Sequence, residues 1–306
     1  MSKPGAKRPL VYIHSASHSG STLLAQLLAR HPEVATVGEL SGTVHRARPG
    51  YQCSCGVELV QCGFWQCVSS AMAKRGFTYS ATTAETDIRN VSSPLARRLL
   101  KPLHRGPLLE LARDVGMLLA PGGRAHLERQ QALKTALVES VMECTGKPVL
   151  VDSSKSGVQL KYHLRNPSLE VKAIGLVRDG RGVALSIARN QSTSFPKGAR
   201  DWRRTNEEAQ AIAGRMGGQR WIQVKYETLC EDPQGTLNRI WRFIGVAPRD
   251  LDECPAPHAH VLGHGSRIGG SKKIHNSEKW RKELSADDLR TFDAIAGPLN
   301  RSLGYR

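Results

Sequence analysis

Leu10-Val11-Tyr12-Ile13-His14-Ser15-Ala16-Ser17-His18-Ser19-Gly20-Ser21-Thr22-Leu23-Leu24 decides the fold of this chain. Leu10 to Ile13 form a short apolar run, Ser15 to Thr22 a turn of small and hydroxyl residues, and Leu23, Leu24, Leu27 and Leu28 repeat at helical spacing. The order is strand, loop, helix, and it recurs. Pro148-Val149-Leu150-Val151 precedes Asp152-Ser153-Ser154-Lys155, and Val171 to Val177 precedes Arg178-Asp179-Gly180-Arg181 and a helical pattern over Val183 to Ala188. Trp221-Ile222-Gln223-Val224-Lys225 reads as a further strand, followed by Tyr226 and a helix through Leu237, Ile240, Trp241 and Phe243. Strands alternating with helices predict an α/β three-layer sandwich with a central parallel sheet. Ligands of such sheets bind beyond the carboxyl ends of the strands, which directs attention to the loops that begin at Ser15, Asp152 and Arg178.

Outward from these segments the pattern changes. Between about residues 43 and 147 strand alternation is lost, and the expectation is one domain over 1–306 carrying a Cys-containing, mainly helical insertion that acts as a lid. Ala256 to Ser277 is rich in Gly, His, Ser and Lys without periodicity, so it reads as a long functional loop, and a last helix runs from about Ala286 to Leu303. Lys plus Arg number 44 against 27 Asp plus Glu, a balance of +17 that attracts polyanions without choosing among them. Aromatic residues make up only 5%, and no basic stretch interleaves with Phe or Tyr, which argues against a nucleic-acid surface. No apolar run reaches the roughly 18 residues of a membrane span, and Met1 to Leu10 lacks a signal peptide's apolar stretch, so a cytoplasmic location is expected.

The loop from Ser15 to Thr22 offers hydroxyls and backbone N–H groups at a helix start, where an anion is favoured, although Ser-rich turns also serve as plain helix caps. It is not a Walker A element: Ser15 stands at the first Gly position and Ser21 replaces the Lys after Gly20. His18-Ser19-Gly20-Ser21-Thr22-Leu23-Leu24, then His31-Pro32-Glu33-Val34 and Gly38-Glu39-Leu40, resembles the 5′-phosphosulfate loop of sulfotransferases that use 3′-phosphoadenosine 5′-phosphosulfate (PAPS), with His18 where those enzymes carry Arg or Lys. Leu176-Val177-Arg178-Asp179-Gly180-Arg181, with Ser186 eight residues after Arg178, is similar to their 3′-phosphate element. Tyr226-Glu227-Thr228-Leu229 resembles their Y-E-x-L segment, and Lys272, Lys273 and Lys279-Trp280-Arg281 look like the loop that covers the cofactor; a solvated charged surface and a packed Trp account for these last residues equally well. The spacing is nearest to the bacterial and tyrosylprotein branches, and the resemblance implies a P-loop NTPase-like fold. It leaves the insertion uncovered.

The resemblance implies a sulfuryl transfer from PAPS to an acceptor hydroxyl, with PAP as product, by in-line displacement. Glu39, 21 residues after His18, would be the general base. His18 and Lys155 would polarise the leaving phosphate and the sulfuryl group, while Ser17, His18, Ser19, Gly20, Ser21 and Thr22 cradle the 5′-phosphate. Arg178, Ser186, Tyr226, Lys272, Lys273 and Lys279 complete the cofactor site, and Asp152 fixes the loop or the acceptor, or caps a helix. No metal is required by this scheme. The acceptor, whether small molecule, glycan, lipid or peptide tyrosine, is left open, as is the oligomeric state. Alternatives are a P-loop-type kinase using ATP and Mg²⁺, disfavoured by the missing Walker Lys, and a non-catalytic anion-binding module. Cys53, Cys55, Cys62 and Cys67 cluster in sequence, whereas Cys144, Cys230 and Cys254 are scattered. The spacing of the cluster is not a standard zinc pattern, so buried thiols or a disulfide are preferred to zinc, and disulfides are disfavoured in a cytoplasmic protein.

Overall fold

Apolar runs that end abruptly in polar loops are what a sheet buried on both faces demands, and they form one here. The computed structural model describes residues 7–42, 44–101, 106–254, 260–263 and 274–306. Its strands are β1 (Arg8–Ser15), β2 (Val34–Thr36), β3 (Val149–Asp152), β4 (Leu169–Val177) and β5 (Trp221–Lys225), in the order β2-β3-β1-β4-β5. The pairs β1–β3, β2–β3 and β4–β5 are parallel, with Leu10 opposite Leu150, Val34 opposite Val149 and Ala173 opposite Trp221. All four residues of β3 are buried, as are the last six of β1, so side chains on both faces are covered. Four of the strands stand where the apolar runs predict them. β2 was expected only as a short segment, because three residues are too few to show a period.

Between β2 and β3 the described residues form helices and turns, the longest being Gly63–Lys74, Pro107–Leu119 and Gly123–Thr145, with one isolated bridge between Gln52 and Glu58. The loop expected over Ala256 to Ser277 lies largely outside the described residues; within it Leu262 forms a bridge with Gly38. The last helix, Ala286–Ser302, begins with a capping box between Ser285 and Asp288.

The chain divides into two compact units. The first comprises Met1–Tyr12, Thr22–Lys172 and Arg249–Ser271. In it Cys67 and Cys144 are joined in a disulfide between the helices Gly63–Lys74 and Gly123–Thr145. This corrects the sequence grouping: Cys67 leaves the cluster, and a disulfide is present after all. A core of Ile88, Leu100, Met117, Val158 and Tyr162 lies under the insertion helices.

The second unit comprises Ile13–Ser21, Ala173–Pro248 and Lys272–Arg306. Its core gathers Val177, Val183, Ile187, Trp202 and Phe292. The helix Phe195–Met216, absent from the sequence reading, buries Gly198, Ala199, Trp202 and Asn206 on one stripe. Gly198 permits this packing, since a Cβ there would meet the Ala184 carbonyl at 2.6 Å.

Gly175 of β4 is fitted to Trp221 of β5 in the same way, for a Cβ would lie 2.2 Å from the indole ring. Gly175→Ala is expected to cost about 1–3 kcal/mol in urea denaturation, as overpacking does, and Trp221→Leu in the same chain should restore part of the loss. An unchanged midpoint in the single variant would show that the indole moves aside without cost.

Candidate active site

β1 ends at Ser15, and the chain turns through Ala16 to Gly20 before the helix Ser21–Leu28 begins. The turn needs left-handed backbone at two positions: His18 has φ 62° and Gly20 φ 94°. Gly20 is also required by the Tyr226 ring, which a Cβ would approach to 2.4 Å. Ser19 is 1% exposed, yet its hydroxyl has no hydrogen-bond partner among the described residues, and the Ser15 hydroxyl is in the same position. Buried hydroxyls left unbonded beside the N–H groups of a helix start fit a phosphate or sulfate oxygen as the missing partner. Ser17 is half-buried and Thr22 lies in the first turn of the helix.

Arg178 follows β4 directly. Its guanidinium donates from Nη1 to the His18 carbonyl at 3.2 Å and from Nη2 to the Ser277 carbonyl at 3.0 Å, and it lies over the Tyr226 ring, 4.5 Å from the centroid. Both acceptors are neutral, so the cation's charge remains available to an anion. Arg181 differs: it is paired with Asp179 at 2.6 Å and stacks on buried Trp280 at 3.9 Å, which makes it structural. Ser186 sits in the helix Gly180–Asn190 with its hydroxyl donating to the Gly182 carbonyl at 2.9 Å. The Tyr226 hydroxyl donates to the His275 carbonyl at 3.1 Å, and burial pushes its pKa up to about 12, so it remains a donor at neutral pH. Lys279 is exposed at the start of the short helix Trp280–Glu283, whereas Lys272 and Lys273 lie outside the described residues. Loop, Arg178, Ser186, Tyr226 and Lys279 thus belong to the second unit, apart from Thr22.

Glu39 and Lys155 belong to the first unit, where they form an ion pair. Among the described residues only three non-glycine residues have positive φ, and two of them are His18 and Lys155, the latter at 70°. Such strain costs on the order of 1–3 kcal/mol and collects at functional positions. Glu39 is held from both sides: Gly38 adopts φ 74° because its Cβ position lies 2.1 Å from the Leu262 carbonyl, and the Glu39 N–H donates to that carbonyl at 3.3 Å. Arg46 donates to the Glu39 carbonyl at 2.7 Å and to the Ser41 carbonyl at 2.8 Å.

Asp152, fully buried at the end of β3, accepts at Oδ1 from the Leu40 N–H at 3.1 Å, from the Ser154 N–H at 2.9 Å and from the Ser154 hydroxyl. Burial raises its pKa, but His163, Lys134 and Ser154 together outweigh this and hold the carboxyl below its usual range. It therefore acts as an anchor for both loops. Sequence reasoning missed its partners Lys134 and His163, and it gave no role to Glu227 of the Y-E-x-L segment, which accepts from the Asp179 N–H at 3.0 Å and from the Tyr305 hydroxyl at 2.8 Å. The only signal for Glu227 was its place next to Tyr226.

With this geometry in hand, the chain can be compared with known proteins. Residues 126–250 match the sulfotransferase family. Over 94 residues it is 31% identical to carbohydrate sulfotransferase 7 of Mus musculus, a stretch that spans 28% of this chain and 19% of the mouse protein. The sulfotransferase domain from the curacin biosynthetic pathway shares the fold with a TM-score of 0.55 and 18% identity, covering 98% of this chain and 99% of that domain. The sulfotransferase domain of the Synechococcus PCC 7002 olefin synthase gives 0.51 and 20%, covering 96% and 98%. The chain thus shares the fold of these two domains over nearly its whole length, although the family match itself covers 126–250 and starts beyond the phosphate loop.

Burial pushes Lys134 down to about 8, against an unfolded value near 10.4. Between those pH values the unfolded chain holds a proton that the folded protein lacks, so stability should rise with pH across that window, by on the order of 3 kcal/mol. Urea midpoints at about pH 7 and about pH 10 should show this rise in the wild type relative to Lys134→Met. Equal slopes in both proteins would mean that Lys134 keeps its proton when folded.

Proposed function

We propose that this chain is a sulfotransferase that moves a sulfuryl group from PAPS to an acceptor hydroxyl, and that it acts as one catalytic domain. The observation that carries the reading is the juxtaposition, within the second unit, of the phosphate loop with its unbonded Ser19 hydroxyl and the Arg178 cation lying on Tyr226. The loop suits the 5′-phosphosulfate, while Arg178 and Ser186 suit the 3′-phosphate that distinguishes PAPS from ATP. His18 donates to the departing phosphate oxygen in this scheme, and a protonated imidazole would strengthen that contact.

Glu39 takes the acceptor proton as the acceptor oxygen bonds to sulfur and the sulfur–phosphate oxygen bond breaks, releasing PAP. Lys155 is ion-paired with Glu39, and in this scheme its ammonium group meets charge on the sulfuryl oxygens. Arg46 and Leu262 hold the backbone of Glu39 so that its carboxylate need not be reorganised during the reaction. The acceptor class is a hydroxyl on a small molecule, glycan, lipid or peptide tyrosine. The likeness to a carbohydrate sulfotransferase supports the glycan first.

Calorimetric titration with PAP, in parallel with ATP and Mg²⁺, tests the donor without knowledge of the acceptor. PAP should bind without added metal, and Arg178→Ala should weaken it roughly ten- to a hundredfold, the loss of one charge-assisted contact. Preference for ATP with Mg²⁺ would replace this reading by the kinase.

Once an acceptor is found, Glu39→Gln should lower kcat by at least about a hundredfold, as loss of a general base does, with the Kd for PAP nearly unchanged. Retained turnover would remove Glu39 as the base.

A further inference from the structure

Three of the cysteines left outside the disulfide come together in the first unit with a histidine that the sequence places about two hundred residues away. Cys53, Cys55, Cys62 and His260 bring their Sγ and ring nitrogen atoms within 4.8 Å of one another. Cys55 and Cys62 Sγ are 3.7 Å apart, while His260 Nδ1 lies 3.6 Å from Cys53 Sγ and 3.2 Å from Cys62 Sγ. A zinc ion about 2.3 Å from each sulfur and about 2.0 Å from an imidazole nitrogen, in tetrahedral geometry, requires sulfurs about 3.8 Å apart and sulfur–nitrogen distances of about 3.5 Å. These three spacings agree with this to within a few tenths of an ångström, and the remaining pairs lie within 4.8 Å.

The local backbone is built to present these ligands. The Cys53 N–H donates to the Val57 carbonyl at 2.9 Å and the Gly56 N–H to the Cys53 carbonyl at 3.0 Å, closing a turn in which Gly56 has φ 92°. That turn brings Cys53 and Cys55 to the same cluster. Cys62 is the N-cap of the helix Gly63–Lys74, which fixes its backbone. The imidazole of His260 is stacked on Phe64, with centroids 4.6 Å apart and planes at 6°, and the Val261 N–H donates to the Ser54 hydroxyl at 2.7 Å. Ring and backbone are thereby oriented before any ion arrives.

We infer that Cys53, Cys55, Cys62 and His260 bind one Zn²⁺ in a closed structural site that ties the segment 260–263 to the Cys53–Cys62 loop. Four protein ligands fill a tetrahedral shell, so the ion has no position for substrate and takes no part in group transfer. Binding releases the thiol protons, giving three thiolates and one neutral imidazole on the metal. The segment so tied also bonds to the Glu39 strand end: the Leu262 N–H donates to the Val37 carbonyl at 2.8 Å and the Leu262 carbonyl accepts from Glu39. Gly263 lies against the Glu39 carboxylate, for a Cβ there would be 3.1 Å from Cδ. The metal site is thus one bond network away from Glu39, and its existence does not depend on the sulfotransferase chemistry.

The test is metal analysis of the full chain purified without chelator, then reconstitution under reducing, anaerobic conditions with Zn²⁺ and separately with Co²⁺. About one zinc per chain is expected, with a Co²⁺ spectrum showing thiolate charge-transfer and intense tetrahedral d–d bands. Cys55→Ser and His260→Ala should each weaken Co²⁺ binding at least roughly tenfold, while Cys230→Ser leaves it unchanged. Because a ligand variant can fail to fold, the wild-type protein supplies an independent reading: removal of zinc should speed amide exchange over 51–62 and 260–263, and zinc should restore it. Absence of stoichiometric metal after reconstitution overturns the proposal. So does a disulfide among Cys53, Cys55 and Cys62 in the native protein, or undiminished Co²⁺ binding in both ligand variants.

Discussion

The Asp152 carboxylate is the interaction on which the first unit's chemistry depends. It is wholly buried, and an unpaired anion there would be expensive. It is stabilised because Oδ1 receives backbone and hydroxyl donors from Leu40 and Ser154, while His163 stands 3.7 Å from Oδ2 and Lys134 lies buried nearby. Leu40 follows Glu39 and Ser154 precedes Lys155, so one side chain fixes the backbone on which each member of the ion pair is carried. The sheet reinforces this: the Thr36 hydroxyl donates to the Val151 carbonyl at 2.9 Å, and the Ser153 N–H to the Gly38 carbonyl at 2.8 Å. The positive φ of Lys155 is sustained by that frame, since nothing in the intrinsic preference of a lysine would maintain it.

The second unit solves a related problem for a cation. Arg178 must remain charged and correctly aimed without being cancelled by a carboxylate. Its backbone is tied from several helices: Trp202 Nε1 donates to the Arg178 carbonyl at 3.0 Å, the Asp179 N–H to Glu227, and the Gly180 N–H to Asn300 Oδ1 at 3.0 Å. The acidic groups close to the segment are already engaged, Asp179 with Arg181 and Glu227 with Asp179 and Tyr305. What Arg178 itself touches are two carbonyls and an aromatic face. That arrangement orients a guanidinium at small cost to its capacity for an anion.

Four strands and the loops at their carboxyl ends were legible because a parallel sheet buried on both faces must be made of apolar runs, and such runs need no partner to be recognised. β2 is too short to carry a pattern. The helix Phe195–Met216 escaped because its buried stripe is made of Gly198, Ala199, Trp202 and Asn206 within an otherwise charged sequence, so its inward face depends on small size more than on hydrophobicity. The candidate site residues that motif spacing proposes, such as His18, Arg178 and Glu39, are those whose positions local chain geometry fixes. The groups that position them, Asp152 with Lys134 and His163, or Glu227 with Tyr305 and Asn300, are joined across long sequence separations, and no local pattern encodes those pairings. At Lys279, proposed from a resemblance to a cofactor-covering loop, the structure shows an exposed lysine beside Trp280, which is packed among Arg181, Arg281 and Gly182.

That Cys53, Cys55 and Cys62 meet His260 was not legible in the sequence, for a physical reason of the same kind. Zinc spacing rules describe ligands supplied in two local pairs, whereas this set has a compact Cys53–Cys62 loop and a fourth ligand 198 residues beyond Cys62. Closing so long a loop costs entropy that grows only with the logarithm of its length, so the distant ligand is thermodynamically no great obstacle. Once the rest of the unit has folded, most of that cost has been met by the sheet and by the Gly38–Leu262 bridge. A metal bound at that stage needs only to fix the last few dihedrals of a segment rich in glycine and histidine. A closed site is also compatible with the proposed transfer, because an ion whose coordination shell is filled by protein can hold Leu262 and Gly263 beside Glu39 without entering the chemistry.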